Sequence, residues 1–384
     1  MAVFKKEAPF YDKLSGSRVQ CGICPRSCVL NLNQRGYCGL YINDHEKLFI
    51  EQYGAVLALF PTCYGNYFFH LGTTLLTVQL PGCNSRCLHC WYAKNYSGKR
   101  LRNVKPYHKN RPFLTGAPAQ NSENAPFDIT APSTYRRVSP SQTVDIMVNS
   151  GCRGLHFAVL ECAINLSWVS ETAELCHNVG GVNMLSTNGL LSRATIDTLS
   201  RNIDAVRLSF KTHGDPEFYR ANAKIDSKYV FENAKAWKEN GVFLQVINSF
   251  EVGAPLETFR GWCRWVVENL GPDTPTGVNP LQPIIYPDAE TYFSCMEQIA
   301  QEEGLRFFIL QRIMTHGDSS VWLCPDCKNP IQTETYYIVN AEVLGAVIFG
   351  TFDGFLPIPM QEVELNVDSQ GKCLSCGCQT PIKP

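Results

Sequence analysis

The chain has 384 residues, of which 45% are hydrophobic and 18% charged, with a formal net charge of −1. That hydrophobic share excludes a disordered chain, and the charge balance excludes a globally basic nucleic-acid binder. The longest apolar runs, Leu155–Leu160 and Val343–Phe349, are too short to span a bilayer, and Met1–Glu7 has no signal-peptide core. A cytoplasmic protein with neither nucleic-acid nor membrane partner is expected.

In chain order, residues 1–72 form a Cys-rich N-terminal segment holding Cys21, Cys24, Cys28 and Cys38, with an alternating stretch at Leu48–Phe60. Thr77–Leu80 is a predicted buried strand closed by Pro81-Gly82. Residues 94–136 interrupt the pattern with a polar insertion. It carries Lys94, Lys99, Arg100, Arg102, Lys105, Lys109 and Arg111 and no acid before Glu123. Such a loop either holds an acidic or peptidic partner or is a solvated insertion.

Ser139-Pro140-Ser141-Gln142 opens a helix with a capping box, and Gly151 closes it. Leu155–Leu160 is the next apolar strand. Val169, Ala173, Cys176 and Val179 follow at helical spacing before Gly180-Gly181. Val182–Thr187 and Ala205–Phe210 read as strands. A helix with Val230, Ala234 and Trp237 on one face ends at Gly241. Phe243–Ile247 and a segment near Gly277–Pro283 are further strands. A helix capped by Asp288 ends at Gly304, and Arg306–Leu310 reads as strand.

Apolar strands alternating with amphipathic helices indicate βα units on a parallel sheet. The fold class expected is α/β: a partial (β/α)6 TIM-type barrel over residues 73–313, with Cys-rich metal-binding extensions at both ends. The C-terminal extension, 314–384, reads as a zinc-ribbon or rubredoxin-like segment. In a barrel-type sheet the chemistry sits at the C-terminal strand ends.

Eighteen cysteines in a chain of this kind point to metal more than to disulfides. Cys63, Cys152, Cys162, Cys176, Cys263 and Cys295 stand alone and are expected as small buried hydrophobes. Cys21-x2-Cys24-x3-Cys28-x9-Cys38 offers four soft ligands. Cys324-x2-Cys327 with Cys373-x2-Cys376 offers four more, and Cys378 is a spare. Either set suits zinc or mononuclear iron.

Cys83-Asn84-Ser85-Arg86-Cys87-Leu88-His89-Cys90 is C-x3-C-x2-C, directly after the first predicted strand. Three thiolates can hold three irons of a [4Fe–4S] cube and leave the fourth open. This pattern resembles that of radical S-adenosylmethionine (SAM) enzymes. The wider chain resembles the branch of pyruvate formate-lyase activating enzymes and AmmeMemoRadiSam proteins. The resemblance is carried by Cys21-Gly22-Ile23-Cys24-Pro25-Arg26-Ser27-Cys28, Arg35-Gly36-Tyr37-Cys38, Ser186-Thr187-Asn188-Gly189, Asp204–Lys211, Cys324-Pro325-Asp326-Cys327 and Cys373-Leu374-Ser375-Cys376-Gly377.

That resemblance implies the following roles. Cys83, Cys87 and Cys90 would ligate the cluster. His89 would lie near the SAM adenine, and Glu161 would meet the SAM amino group. Thr187 and Asn188 would line the pocket. Lys211 would pair with the SAM carboxylate, and Ser209 stands where the family has an aspartate. The T-Y-N of the family is Ala158-Val159-Leu160 here, a histidine and arginine are replaced around Gly277 and Pro280, and an E-K-K-P stretch reads Cys63-Tyr64-Gly65-Asn66. These swaps make the pocket less polar and more open, which would suit an extra large, planar cofactor.

The chain is also similar to the cobalamin-dependent glutamine C-methyltransferases that act on methyl-coenzyme M reductase in methanogens. This implies methyl transfer to an unactivated carbon of a protein residue. It also implies cobalamin, a protein or peptide substrate such as methyl-coenzyme M reductase, and a low-potential electron donor such as ferredoxin. No D-x-H-x-x-G run is present, so a cobalamin would bind without a protein histidine ligand. The alternatives are a cobalamin-independent hydrogen-abstracting or radical-activating enzyme, and an iron–sulfur electron carrier or metal-stabilised binding module.

Overall fold

The structure is a computed structural model. It describes residues 5–62, 68–70, 72–87, 135–250, 253–280, 289–310, 319–340, 347–348 and 357–383. The basic insertion, His89, Cys90 and the Cys63–Asn66 stretch lie outside the described residues, except for Tyr135 and Arg136 at the insertion's end.

Its centre is a nine-stranded sheet. In chain order its strands are β1 (Ala58–Thr62), β2 (Leu75–Gln79), β3 (Gly154–Phe157), β4 (Val182–Thr187), β5 (Ala205–Lys211), β6 (Phe243–Phe250), β7 (Thr276–Pro280) and β8 (Phe308–Leu310), joined by Val347–Ile348 at one edge. From β2 to β8 every neighbour is parallel and spatial order equals chain order. Each crossover therefore steps in the same direction, the winding of a barrel rather than of a doubly wound sheet. β1 pairs antiparallel with β2, and Val347–Ile348 antiparallel with β1.

Helices α1 (Pro140–Asn149), α2 (Leu166–Asn178), α3 (Arg193–Leu199), α4 (Lys228–Glu239), α5 (Leu256–Leu270) and α6 (Ala289–Glu302) supply the crossovers. α1 packs on α2, α2 on α3, α3 on α4, α4 on α5 and α5 on α6, which makes one layer. Ser139 caps α1 as its sequence requires: its hydroxyl accepts from the Gln142 N–H at 3.1 Å while Gln142 Oε1 accepts from the Ser139 N–H at 2.9 Å. α5 was not foreseen. Phe259, Trp262, Cys263, Val266 and Leu270 form its buried stripe.

Alternation along the strands gives the sheet two unlike faces. Val78, Leu155, Phe157, Leu185, Val206 and Leu208 are buried in one large cluster with Val169, Ala173, Val230 and Ala234 of the helices. On β2, β4 and β5 the opposite face is apolar at its lower end, where Leu75, Met184 and Ala205 meet Phe69. Further up, on the same face, Ser186 of β4 and Arg207, Ser209 and Lys211 of β5 are half-buried. A filled TIM barrel has branched apolar residues there. This inner wall is polar and accessible.

The C-terminal part is a three-stranded antiparallel sheet of β9 (Ser319–Leu323), β10 (Pro330–Asn340) and β11 (Pro357–Leu365). Trp322, Ile331, Cys324, Cys373 and Ile382 pack on Phe68, Ile247, Phe307 and Ile309. Phe68 meets Trp322 edge-on at 4.3 Å between ring centres. The extension is thereby fastened to the inner side of the sheet.

Among the lone cysteines, Cys152, Cys162, Cys176 and Cys263 are buried and Cys295 is half-buried. Among the described residues no helix is long and apolar enough to cross a membrane.

Candidate active site

The upper ends of β2, β3 and β4 bring the candidate residues together. β3 stops at Phe157 because Val159 and Leu160 both take positive φ, 67° and 54°. A β-branched residue there is strained, and such strain gathers at functional sites. The twist delivers Glu161 to the interior, with 0% of it exposed. Its backbone N–H reaches Gly82 O at 3.3 Å, beside Cys83. Gly82 has φ +93°, and a Cβ there would lie 2.6 Å from the Leu40 side chain, so the N-terminal segment and the strand end touch only because this residue is glycine.

A buried carboxylate needs donors. The Thr187 hydroxyl donates to Glu161 Oε1 at 2.8 Å and the Asn188 N–H to Oε2 at 2.7 Å. Thr187 accepts in turn from the Gly189 N–H at 3.1 Å. Burial still pushes the Glu161 carboxyl up to about 7, against these donors and the nearby Lys211 ammonium. A carboxylate so poised favours a cationic ligand group.

Asn188 links this acid to the cysteine loop. Its Nδ2 donates to Asn84 Oδ1 at 2.9 Å and stands 3.9 Å from Cys83 Sγ. Asn84 Nδ2 donates to Leu190 O at 2.6 Å. Ser85 Oγ lies 3.1 Å from Cys87 Sγ and 3.1 Å from Ala223 O. Ala223 ends a single π-helical turn, Tyr219–Ala223, and such turns recur at functional sites. The buried Tyr219 hydroxyl accepts from the Lys211 N–H at 3.0 Å. Cys83 and Cys87 are half-buried. Glu161, Thr187, Asn188, Lys211, Cys83 and Cys87 thus share one end of the sheet. Ser209 lies lower on the same inner wall.

The structure adds residues that the sequence reading missed. Arg86 Nη1 donates to Cys83 O at 3.0 Å and Ser85 O at 2.9 Å, and Nη2 donates to Tyr37 O. Arg26 donates to Asn84 O and to Ala223 O, the latter at 3.4 Å. Arg86 and Asn84 stand inside the cysteine motif, so the spacers of the motif were the available signal.

The comparisons decide the class. Residues 78–260 match the Radical SAM superfamily model. The chain carries a radical SAM domain. The chain is 25% identical over 349 residues to the uncharacterized protein MJ0808 of Methanocaldococcus jannaschii, covering 88% of this chain and 94% of that protein. It is similar in structure to a domain of a pyruvate-formate lyase-activating enzyme from Bacteroides vulgatus, with 16% identity, a TM-score of 0.36, and coverage of 41% of this chain and 98% of that one. Streptococcus suis SuiB bound to SAM matches with 14% identity and a TM-score of 0.40, over 60% of this chain and 48% of that one. QueE from Escherichia coli matches with 15% identity and a TM-score of 0.38, over 67% and 93%.

A radical SAM domain implies a [4Fe–4S] cluster and SAM, and the donors present fit them. Two soft thiols stand on one loop, the third of the motif follows three residues on, and a buried carboxylate lies beside the loop.

The C-terminal cysteines form a separate group. The ligand atoms of Cys324, Cys327, Cys373 and Cys376 all lie within 4.8 Å of one another. Cys324 and Cys376 sulfurs are 3.5 Å apart, Cys327 and Cys373 sulfurs 3.8 Å. Each C-x2-C pair is followed directly by a residue with positive φ, Lys328 at 61° and Gly377 at 75°. Cys378 stands apart from the four, with its sulfur 3.4 Å from Arg306 Nη2. Cys21, Cys24, Cys28 and Cys38 line one pocket, together with Arg26 and Tyr37.

Proposed function

We propose that this radical SAM enzyme C-methylates an unactivated carbon of a protein or peptide residue. The observation that supports substrate-radical chemistry is the Glu161–Thr187–Asn188 cradle joined through Asn84 to the Cys83 loop. Cys83, Cys87 and Cys90 would hold the cluster, which would supply the electron for reductive cleavage of SAM to methionine and a 5′-deoxyadenosyl radical.

The chain's own residues bind and orient. In this reading Glu161 would accept from the SAM amino group, Lys211 would pair with the SAM carboxylate, Thr187 and Asn188 would line the pocket, and His89 of the motif would serve the adenine. Ser209 continues the pocket down β5. Hydrogen abstraction by a carbon radical asks no side-chain acid or base. Consistent with this, His156 on the inner face is bonded to Ser186 Oγ at 2.8 Å, and burial pushes its imidazole down to about 3, which keeps it neutral.

In this reading methylcobalamin would supply the methyl group, and the polar wall of β4 and β5 would hold it. The likeness to glutamine C-methyltransferases makes methyl-coenzyme M reductase the first substrate to test, with ferredoxin as the electron donor. Residues 1–72, 73–313 and 314–384 are the three parts of this scheme, in which the outer four-cysteine sets take zinc or mononuclear iron.

The test is anaerobic purification with cobalamin supplied, followed by SAM, reductant and a glutamine-containing peptide of methyl-coenzyme M reductase. Retained cobalamin, deoxyadenosine, S-adenosylhomocysteine and a methylated peptide are expected. Deoxyadenosine with no cobalamin retained would replace methylation by a hydrogen-abstracting or activating reaction.

A further inference from the structure

We infer that Ser85, a spacer of the C-x3-C-x2-C motif, is a positioning residue for electron entry: its hydroxyl donates to the Cys87 thiolate and raises the reduction potential of the cluster that Cys87 ligates. The inference deepens the radical SAM reading and rests on it for the cluster.

Ser85 is 5% exposed, with its Oγ 3.1 Å from Cys87 Sγ and 3.1 Å from Ala223 O. A hydroxyl has one hydrogen, and this one faces two acceptors. Beside a neutral thiol, the Cys87 S–H can give its hydrogen to Ser85 Oγ while the hydroxyl donates to Ala223 O. A ligating cysteine is a thiolate and has no hydrogen to give. The contact then persists only with the hydroxyl as donor, so the O–H turns to the sulfur. That turn does not strand Ala223 O. The Arg26 guanidinium and the Arg86 backbone N–H also donate to it, at 3.4 and 3.5 Å.

A hydrogen bond to a charged acceptor is roughly twice as strong as a neutral one. Reduction adds one negative charge to the cluster and its thiolates, so the bond strengthens on reduction and favours the reduced form. Hydrogen bonds to the sulfurs are among the factors that set such potentials. Burial enlarges the effect, because water does not take the place of the hydroxyl and the surroundings screen it little. The π-helical turn holds the donor in place. Its last residue is Ala223, and its first, Tyr219, accepts through its hydroxyl from the Lys211 N–H at the end of β5, at 3.0 Å. Asn188 is a weaker counterpart at Cys83. Its Nδ2 stands 3.9 Å from that sulfur and gives a hydrogen to Asn84 Oδ1 at 2.9 Å.

The test is a redox titration of full-length, anaerobically reconstituted protein, followed by electron paramagnetic resonance, with iron and sulfide content and SAM affinity measured alongside. Ser85→Ala is expected to keep cluster content and SAM affinity. Its ratio of reduced to oxidised cluster at a fixed poise should fall about tenfold, a downward shift of about 59 mV. Ser85→Thr keeps a hydroxyl and is expected to restore the midpoint. In deuterated buffer, pulsed resonance of the reduced wild type should show one exchangeable hydrogen that Ser85→Ala lacks. A midpoint is read on whatever cluster forms, so reduced occupancy does not spoil the comparison, and Ser85→Gly replaces Ser85→Ala if thermal melts show that the alanine variant does not fold.

A Ser85→Ala midpoint equal to that of wild type would overturn the inference. So would equal lowering in the alanine and threonine variants with the exchangeable hydrogen unchanged, which would assign the effect to packing. Either result, with SAM still cleaved, leaves the radical SAM reading standing and refutes this inference alone. Wild-type protein that assembles no cluster would refute both.

Discussion

The Asn188 backbone N–H meets Glu161 Oε2 at 2.7 Å, while the Asn188 side chain reaches Asn84 in the cysteine loop. One residue at the end of β4 therefore sets both the acid and the loop. Glu161→Gln keeps the shape and loses the charge that draws the SAM amino group. We expect SAM affinity to fall about tenfold, or ~1.4 kcal/mol, with cluster content unchanged. Calorimetric titration of cluster-loaded protein measures it.

The same acid gives a pH dependence. Its carboxyl titrates near 7 in the fold against an ordinary 4.5, so between those values the folded state holds a proton that the unfolded state has released. Its contribution to stability is present in full below the ordinary value and declines as pH rises toward 7. SAM binding runs the opposite way, because the ionised form attracts the ligand. Affinity is expected to rise between pH 6 and 8 in wild type and to stay flat in Glu161→Gln.

Much of this was legible in the sequence, and the reasons differ by element. The seven parallel strands announced themselves because a sheet covered by helices needs apolar runs on its covered face. β3 was read too long, to Leu160, since apolarity alone does not reveal that Val159 and Leu160 turn to positive φ. α5 escaped notice although Phe259, Trp262, Val266 and Leu270 have helical spacing, because Arg260, Arg264 and Glu257 interleave with them. The thiols and Glu161 were legible as chemistry. The bridge of Arg26, Tyr37 and Arg86 was not, because it joins segments about fifty residues apart.

Cys87→Ala removes one cluster ligand. Iron and sulfide content should drop to near the background of the outer sites, and deoxyadenosine formation should be lost. Iron assay and product analysis by mass spectrometry check this. Full deoxyadenosine yield from the variant would sink the ligand assignment.

Cys376→Ala acts elsewhere. Its sulfur lies 3.5 Å from that of Cys324 in the C-terminal group, far from the Cys83 loop in sequence and joined to the inner sheet through Trp322 and Phe307. Loss of one ion and a lower melting temperature are expected before any loss of SAM cleavage. Metal analysis and thermal melts read the order of events.

Gly82→Ala tests the contact between the N-terminal segment and the strand end. A Cβ at φ +93° would meet the Leu40 side chain at 2.6 Å. Destabilisation of about 1–3 kcal/mol is expected, read by denaturant unfolding.

The most direct measurement is deoxyadenosine formed by the anaerobically reconstituted protein on addition of SAM and a low-potential reductant, with no other substrate. The account predicts turnover that requires Cys83, Cys87 and Cys90 together and weakens in Glu161→Gln. An intact, reducible cluster that leaves SAM whole would contradict it.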